Sequence, residues 1–186
     1  VETAQATAAV GEQYNDWSID FLADYVINQF HAYTRKMLPQ LVQYADAVAN
    51  AHGAHHPETI TIAGMMRPLA LEMLDHMNKE EKLLYPYVKQ IVNSHNTGAP
   101  LPTPEFGSAE ALIVEMDKEH EETGDALEQF AELSDNFAIP EDACNTYRAL
   151  YNFLAEFEAT TKKHIHLENN ILFPKAIRME KELAAA

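Results

Sequence analysis

Two stretches of the chain carry the same reactive side chains at the same spacing. Residues 76–86 read HMNKEEKLLYP and residues 164–174 read HIHLENNILFP, both fitting H-x-x-x-E-x-x-[L/I]-L-[Y/F]-P at an offset of 88 residues. A lone histidine precedes each pair, His31 and His120, at an offset of 89. Four residues along a helix advance about 6 Å and return to one face. His76 with Glu80, and His164 with Glu168, can therefore aim an imidazole and a carboxylate at one cation, or let the carboxylate bridge to a second. The candidate metal ligands are His31, His76, Glu80, His120, His164 and Glu168. Four imidazoles and two carboxylates exceed what one tetrahedral zinc takes. They suit two octahedral ions bridged by carboxylates, with positions left for a small ligand, iron first and manganese second. None of the nine histidines sits in Glu-x-x-His, the pairing of ferritin-like di-iron bundles; Asp117-x-x-His120 comes nearest.

The elements that must position these side chains read as helices. Apolar residues recur at i, i+3 and i+4, glycine is scarce (6), and no alternating pattern persists. Four helices are expected: about Trp17 to Asn50 with Ser18 as N-cap and a kink at Pro39; Thr59 to Val92, broken or bent at Pro68 and Pro86; Ser108 to Ser134; and Pro140 to Leu183 with Pro140 in the first turn. Residues 51–58 make a polar turn, 93–107 a proline-rich loop and 135–139 a tight turn. The ligand candidates fall on the apolar stripes. In the last helix the stripe is Tyr147, Leu150, Leu154, Phe157, Thr161, His164, Glu168 and Ile171. His120 follows Met116 in the third helix, and His31 follows Ile27 in the first. A buried carboxylate without a counter-charge costs several kcal/mol, so Glu80 and Glu168 both call for a cation. The duplication implies two copies of one helical hairpin about a pseudo-two-fold axis, in an all-α, up-down-up-down four-helix bundle.

Composition narrows the function classes. The 186 residues suit one domain over 1–186, with residues 1–16 an irregular lead-in. Asp and Glu outnumber Lys and Arg 29 to 13, a net charge of −16. A nucleic-acid partner is not expected without a basic footprint, and the same charge disfavours an anionic membrane surface. No apolar run approaches the length of a membrane span, and the first residues carry no signal-peptide pattern, so a cytoplasmic protein is expected. One cysteine, Cys144, excludes an internal disulfide and a thiolate metal site; at the start of the last helix it is read as a buried, inert thiol.

Five segments resemble the hemerythrin-like (HHE cation-binding) domains, and more closely the C-terminal domain of the Repair of Iron Centres family: FHAYTRKMLPQL at His31, DHMNKEEKLLYP at His76, KEHEETGDAL at His120, ACNTYRALY at 143–151 and KHIHLENNILFPKA at His164. The last two are the most specific; a plain hemerythrin domain shares the histidines but not ACNTYRALY. The resemblance covers about Ile19 to Ala176. It implies a hemerythrin-like bundle with two non-haem iron ions, oxo-bridged when oxidised, on the same six residues, with both glutamates bridging. It implies protection against nitrosative and oxidative stress, by reacting with nitric oxide and by repairing, or supplying iron to, damaged iron–sulfur clusters in partner proteins. An O2-binding or O2-sensing hemerythrin-like protein is the alternative. Counterparts of Glu72 and Glu119 line the polar approach to the metals in that family. Its members also carry an N-terminal domain with adjacent cysteines, and this sequence shows none. His52 has a family counterpart but no partner in the repeat. It lies 21 residues beyond His31, a helical rise of about 31 Å, and is expected at the far end of the bundle, away from the metals.

Overall fold

The computed structural model describes residues 14–185. No strand occurs among them, and four long helices run up, down, up and down. Helix α1 covers residues 19–52, α2 58–97, α3 109–133 and α4 145–184. Helix α1 packs on α2 and α4, and α3 closes the bundle against the same two. Of the lead-in expected to be irregular, residues 1–13 lie outside the described residues, and Tyr14 and Asn15 are helical.

Three of the four helices contain one π-turn each: Ile27–His31 in α1, Glu80–Leu84 in α2 and Glu168–Leu172 in α4. Each closes with an i→i−5 bond, from Ala32 N–H to Ile27 O, Tyr85 N–H to Glu80 O and Phe173 N–H to Glu168 O. The last two stand just before Pro86 and Pro174. A proline ring collides with the carbonyl four residues back in a regular α-helix, and a widened turn makes room for it. The helix therefore continues through both prolines rather than breaking. Pro39 and Pro68 also lie within unbroken segments, Ala32–His52 and Glu58–Lys79, on exposed faces where a freed carbonyl meets solvent.

Two boundaries differ from expectation. Helix α2 continues to Thr97, so His95 is helical, and Gly98 ends it in the left-handed region (φ 70°). Helix α4 starts at Asn145, not Pro140, because Cys144 is held extended (φ −72°, ψ 172°) as its N-cap. Between α3 and α4, Asp135, Asn136 and Phe137 all adopt positive φ. Ser134 secures this turn, its hydroxyl donating to Phe130 O at 2.6 Å and accepting from Phe137 N–H at 2.9 Å. Ser108 caps α3 by accepting from Ala111 N–H at 3.1 Å.

The core has two apolar layers. One holds Leu22, Val26, Leu84, Val88, Met116 and Leu172; the other holds Leu38, Leu41, Met66, Phe130, Leu154 and Phe157. Along every helix the ligand candidates lie between these layers, which places one polar slab across the middle of a dry bundle.

Candidate metal centre

The six candidates meet in that slab, and all are buried. They form two groups, His31, Glu80, His164 and Glu168, and His76, Glu80, His120 and Glu168, with potential ligand atoms all within 4.8 Å of one another in each. Both glutamates belong to both groups. Each group takes one histidine from each copy of the repeat, so neither half of the chain completes a group alone.

The polar atoms there are not satisfied by the protein. Glu80 is fully buried, and neither of its oxygens has a hydrogen-bond partner; nor do Nε2 of His31, Nε2 of His164 and Oε2 of Glu168. His31 Nε2 and His76 Nε2 approach Glu80 Oε2 at 3.2 and 3.4 Å, and His164 Nε2 and His120 Nε2 approach Glu168 Oε2 at 3.0 and 3.3 Å. Nε2 of His76 and of His120 are 3.0 Å apart. Glu180 shows how the same bundle treats a structural carboxylate. It accepts from Tyr87 Oη at 2.7 Å and from the first N–H of α3, Ala109, at 3.0 Å. Glu80, with no such donor, and Glu168, with a donor on Oε1 alone, face four inward nitrogens; this fits a cation-binding site, and nitrogen with oxygen ligands suits iron.

Outer contacts fix the rings. His31 Nδ1 donates to Glu81 Oε1 at 2.8 Å, His76 Nδ1 to Glu119 Oε2 at 2.8 Å and His120 Nδ1 to Asn169 Oδ1 at 2.8 Å. All three partners accept, so a neutral ring keeps its proton on Nδ1 and turns the Nε2 lone pair inward. Arg35 pairs with Glu81 at 2.9 Å, and Lys79 pairs with Glu119. Both carboxylates are pulled below the usual range by these hydrogen bonds, against the upward push of burial. Aromatic rings complete the shell: Tyr85 stacks on His31, Phe173 on His120 and Phe30 on His164, with centroids 5.9, 5.9 and 5.3 Å apart.

Burial alone would push the His76 ring down, but the charge of Glu80 carries its pKa up to about 9. His31 and His120 are raised by the same opposition. Glu168 is held well below the carboxylate range, its burial outweighed by His164 and His120.

The hemerythrin HHE cation-binding domain matches residues 22–176. The chain belongs to this family. It is 35% identical over 182 residues, 95% of this chain and 76% of the relative, to the iron–sulfur cluster repair protein YtfE of Yersinia pseudotuberculosis serotype IB. Its identity to the same-named protein of Yersinia pestis (strain Pestoides F) is 34% over the same coverage. The hemerythrin-like chain keeps the duplicated hairpins around its buried histidines and glutamates.

Its other singled-out residues sort by distance from that slab. Glu119 joins it through His76, whereas Glu72 is exposed. His52 ends the first helix at the far end of the bundle and lies outside both ligand groups. Its Nε2 is 3.2 Å from Cys144 Sγ. Cys144 is exposed rather than buried, because its helix begins only after it; the N–H of Tyr147 and then His52 lower its thiol pKa. His56 bridges Glu58 and Asp142 at 3.0 Å each. His55 and His166 are exposed. Sequence reasoning missed the three π-turns and the roles of Glu81, Asn169 and Tyr85. The repeat itself held a signal for them: Glu81 and Asn169 follow the two glutamates, and Tyr85 and Phe173 precede the two prolines.

Proposed function

We propose that the chain is a di-iron protein that protects and repairs iron–sulfur clusters, with His31 and His164 holding one ion, His76 and His120 the other, and Glu80 and Glu168 reaching both. The observation that carries this reading is the sharing of both buried, donor-poor carboxylates by two histidine pairs. The similarity to cluster repair proteins of Yersinia over nearly the whole chain supports the biological role. Iron at such a centre supplies a Lewis acid and an electron for a diatomic ligand, nitric oxide in this reading. The protein residues hold the imidazole lone pairs inward through Glu81, Glu119 and Asn169. The two apolar layers exclude bulk water, which strengthens every charge interaction between them. The whole chain serves as one domain around this centre in the cytoplasm, with damaged iron–sulfur proteins as its partners.

The test is metal analysis followed by stopped-flow absorbance. Protein from iron-replete cells is expected to hold about two irons per chain and, once reduced, to react with nitric oxide. One zinc and no iron would overturn the metal assignment. A fully reversible spectral response to O2, with none to nitric oxide, would replace repair by oxygen binding.

A further inference from the structure

Among the differences between the two copies of the repeat, one is a single hydroxyl beside the candidate ligands. Tyr85 and Phe173 occupy equivalent positions, 2% exposed or less, each just after a π-turn that opens on a glutamate. Each ring lies along the histidine of the preceding helix, Tyr85 on His31 and Phe173 on His120, both with centroids 5.9 Å apart and planes within 20°. The Tyr85 hydroxyl crosses to the other copy and donates to Oε1 of Glu168. Phe173, placed the same way, has no hydroxyl to offer Glu80. Glu168 therefore has one oxygen held by a fully buried phenol, whereas both oxygens of Glu80 lack a hydrogen-bond donor.

We propose that Tyr85 is a positioning residue that locks Glu168 in place and leaves Glu80 as the carboxylate free to reorient, giving the duplicated glutamates different roles. This rests on the di-iron reading above. A hydrogen bond to a charged acceptor is among the stronger ones and fixes direction as well as energy. Glu168 keeps one orientation because turning it would break its bond from the buried Tyr85 hydroxyl. Glu80 has no such bond to lose. Its oxygens answer only to the cations and to His31 and His76, so it is the arm that shifts when a small ligand enters or the charge of the centre changes. The phenol also withdraws electron density from Glu168, which makes that carboxylate a weaker donor to oxidised iron.

The experiment compares iron-loaded wild type with Tyr85→Phe, Phe173→Tyr and the double variant. Two readings are taken, the rate of anaerobic iron release to a chelator and the reduction potential from a redox titration. Tyr85→Phe is expected to release iron about tenfold faster and to lower the potential, since a freed Glu168 favours the oxidised ions. Phe173→Tyr supplies the missing donor to Glu80 and is expected to slow release and raise the potential. The double variant is expected to return both readings toward wild type. A packing role would not be repaired by moving the hydroxyl to the opposite side of the centre. An unchanged potential and release rate in Tyr85→Phe would overturn the proposal by itself. So would a double variant that holds two irons yet stays at the Tyr85→Phe values. Wild type that fails to hold two irons would instead sink the di-iron reading beneath it.

Discussion

The two histidine pairs sit in one polar slab yet face different surroundings. His76 and His120 are 8% and 5% exposed, and His76 leans on Glu119, which Lys79 in turn neutralises. His31 and His164 are 0% and 3% exposed. On that side Phe30 covers His164, and Tyr25, Trp17 and Tyr14 extend the aromatic wall. The duplication makes the difference instructive. Glu119 precedes His120 as Phe30 precedes His31, so one step in the repeat carries a charge in one copy and a ring in the other. The candidate ligands match while these covers differ: a charged pair covers His76 and an aromatic ring covers His164, while His31 keeps a charged contact of its own through Glu81 and Arg35.

Removing a shared carboxylate should erase the distinction between the sides. Glu80→Ala or Glu168→Ala is expected to lose most of the iron from both pairs and to lower the stability of the loaded protein by about 3 kcal/mol, because cations remain facing an uncompensated site. Metal content and thermal unfolding check this, and full iron in both variants would refute the shared role.

Changing one cover should instead affect one side. Glu119→Gln removes the charged partner of His76 Nδ1 and is expected to weaken one of two iron-binding steps about tenfold, leaving the other unchanged. Stepwise iron titration separates the steps; equal weakening of both would mean that the sides are not independent.

Acid–base behaviour sharpens the contrast further. The His76 ring is raised from 6.5 to about 9 in the metal-free protein. A raised histidine contributes stability that is complete below its unfolded pKa and lost as pH climbs through the folded one. Metal-free protein is therefore expected to lose stability between pH 6.5 and about 9. Iron binding at pH 7 should release protons, and the release should vanish above that range. Calorimetry in buffers of different ionisation enthalpy measures it; loading without proton release at pH 7 would contradict the raised pKa.

The smallest effect belongs to the far end of the bundle. His52→Ala is expected to keep its iron and to raise the Cys144 thiol pKa only slightly, since the Tyr147 N–H is the larger cause of its depression. The pH profile of alkylation reads this directly, and loss of iron in His52→Ala would mean that the two ends are coupled.

The repeat made most of the centre legible before any coordinates. His-x-x-x-Glu, twice, on apolar stripes, turns its side chains inward by helix periodicity, and the structure brings all six candidates into one buried slab. His52 could be set apart by helix rise alone. The pairing could not be read that way. That His31 joins His164, and His76 joins His120, depends on which helices are neighbours, and each helix pattern records only its own apolar face. The π-turns were hidden for a related reason: local propensity takes Glu80 to Leu84 as ordinary helix, and the wide turn exists where Pro86 and the packing of Tyr85 must both be met. Cys144 was misread because its exposure follows from where α4 begins, and that was decided by the turn from Ser134 to Ala143 rather than by Pro140. The charge of Glu119 against the ring of Phe30 stood in the sequence throughout. Only the assembled bundle decided that they cover opposite sides of one centre, because contacts between helices depend on rotation and depth, which no single helix encodes.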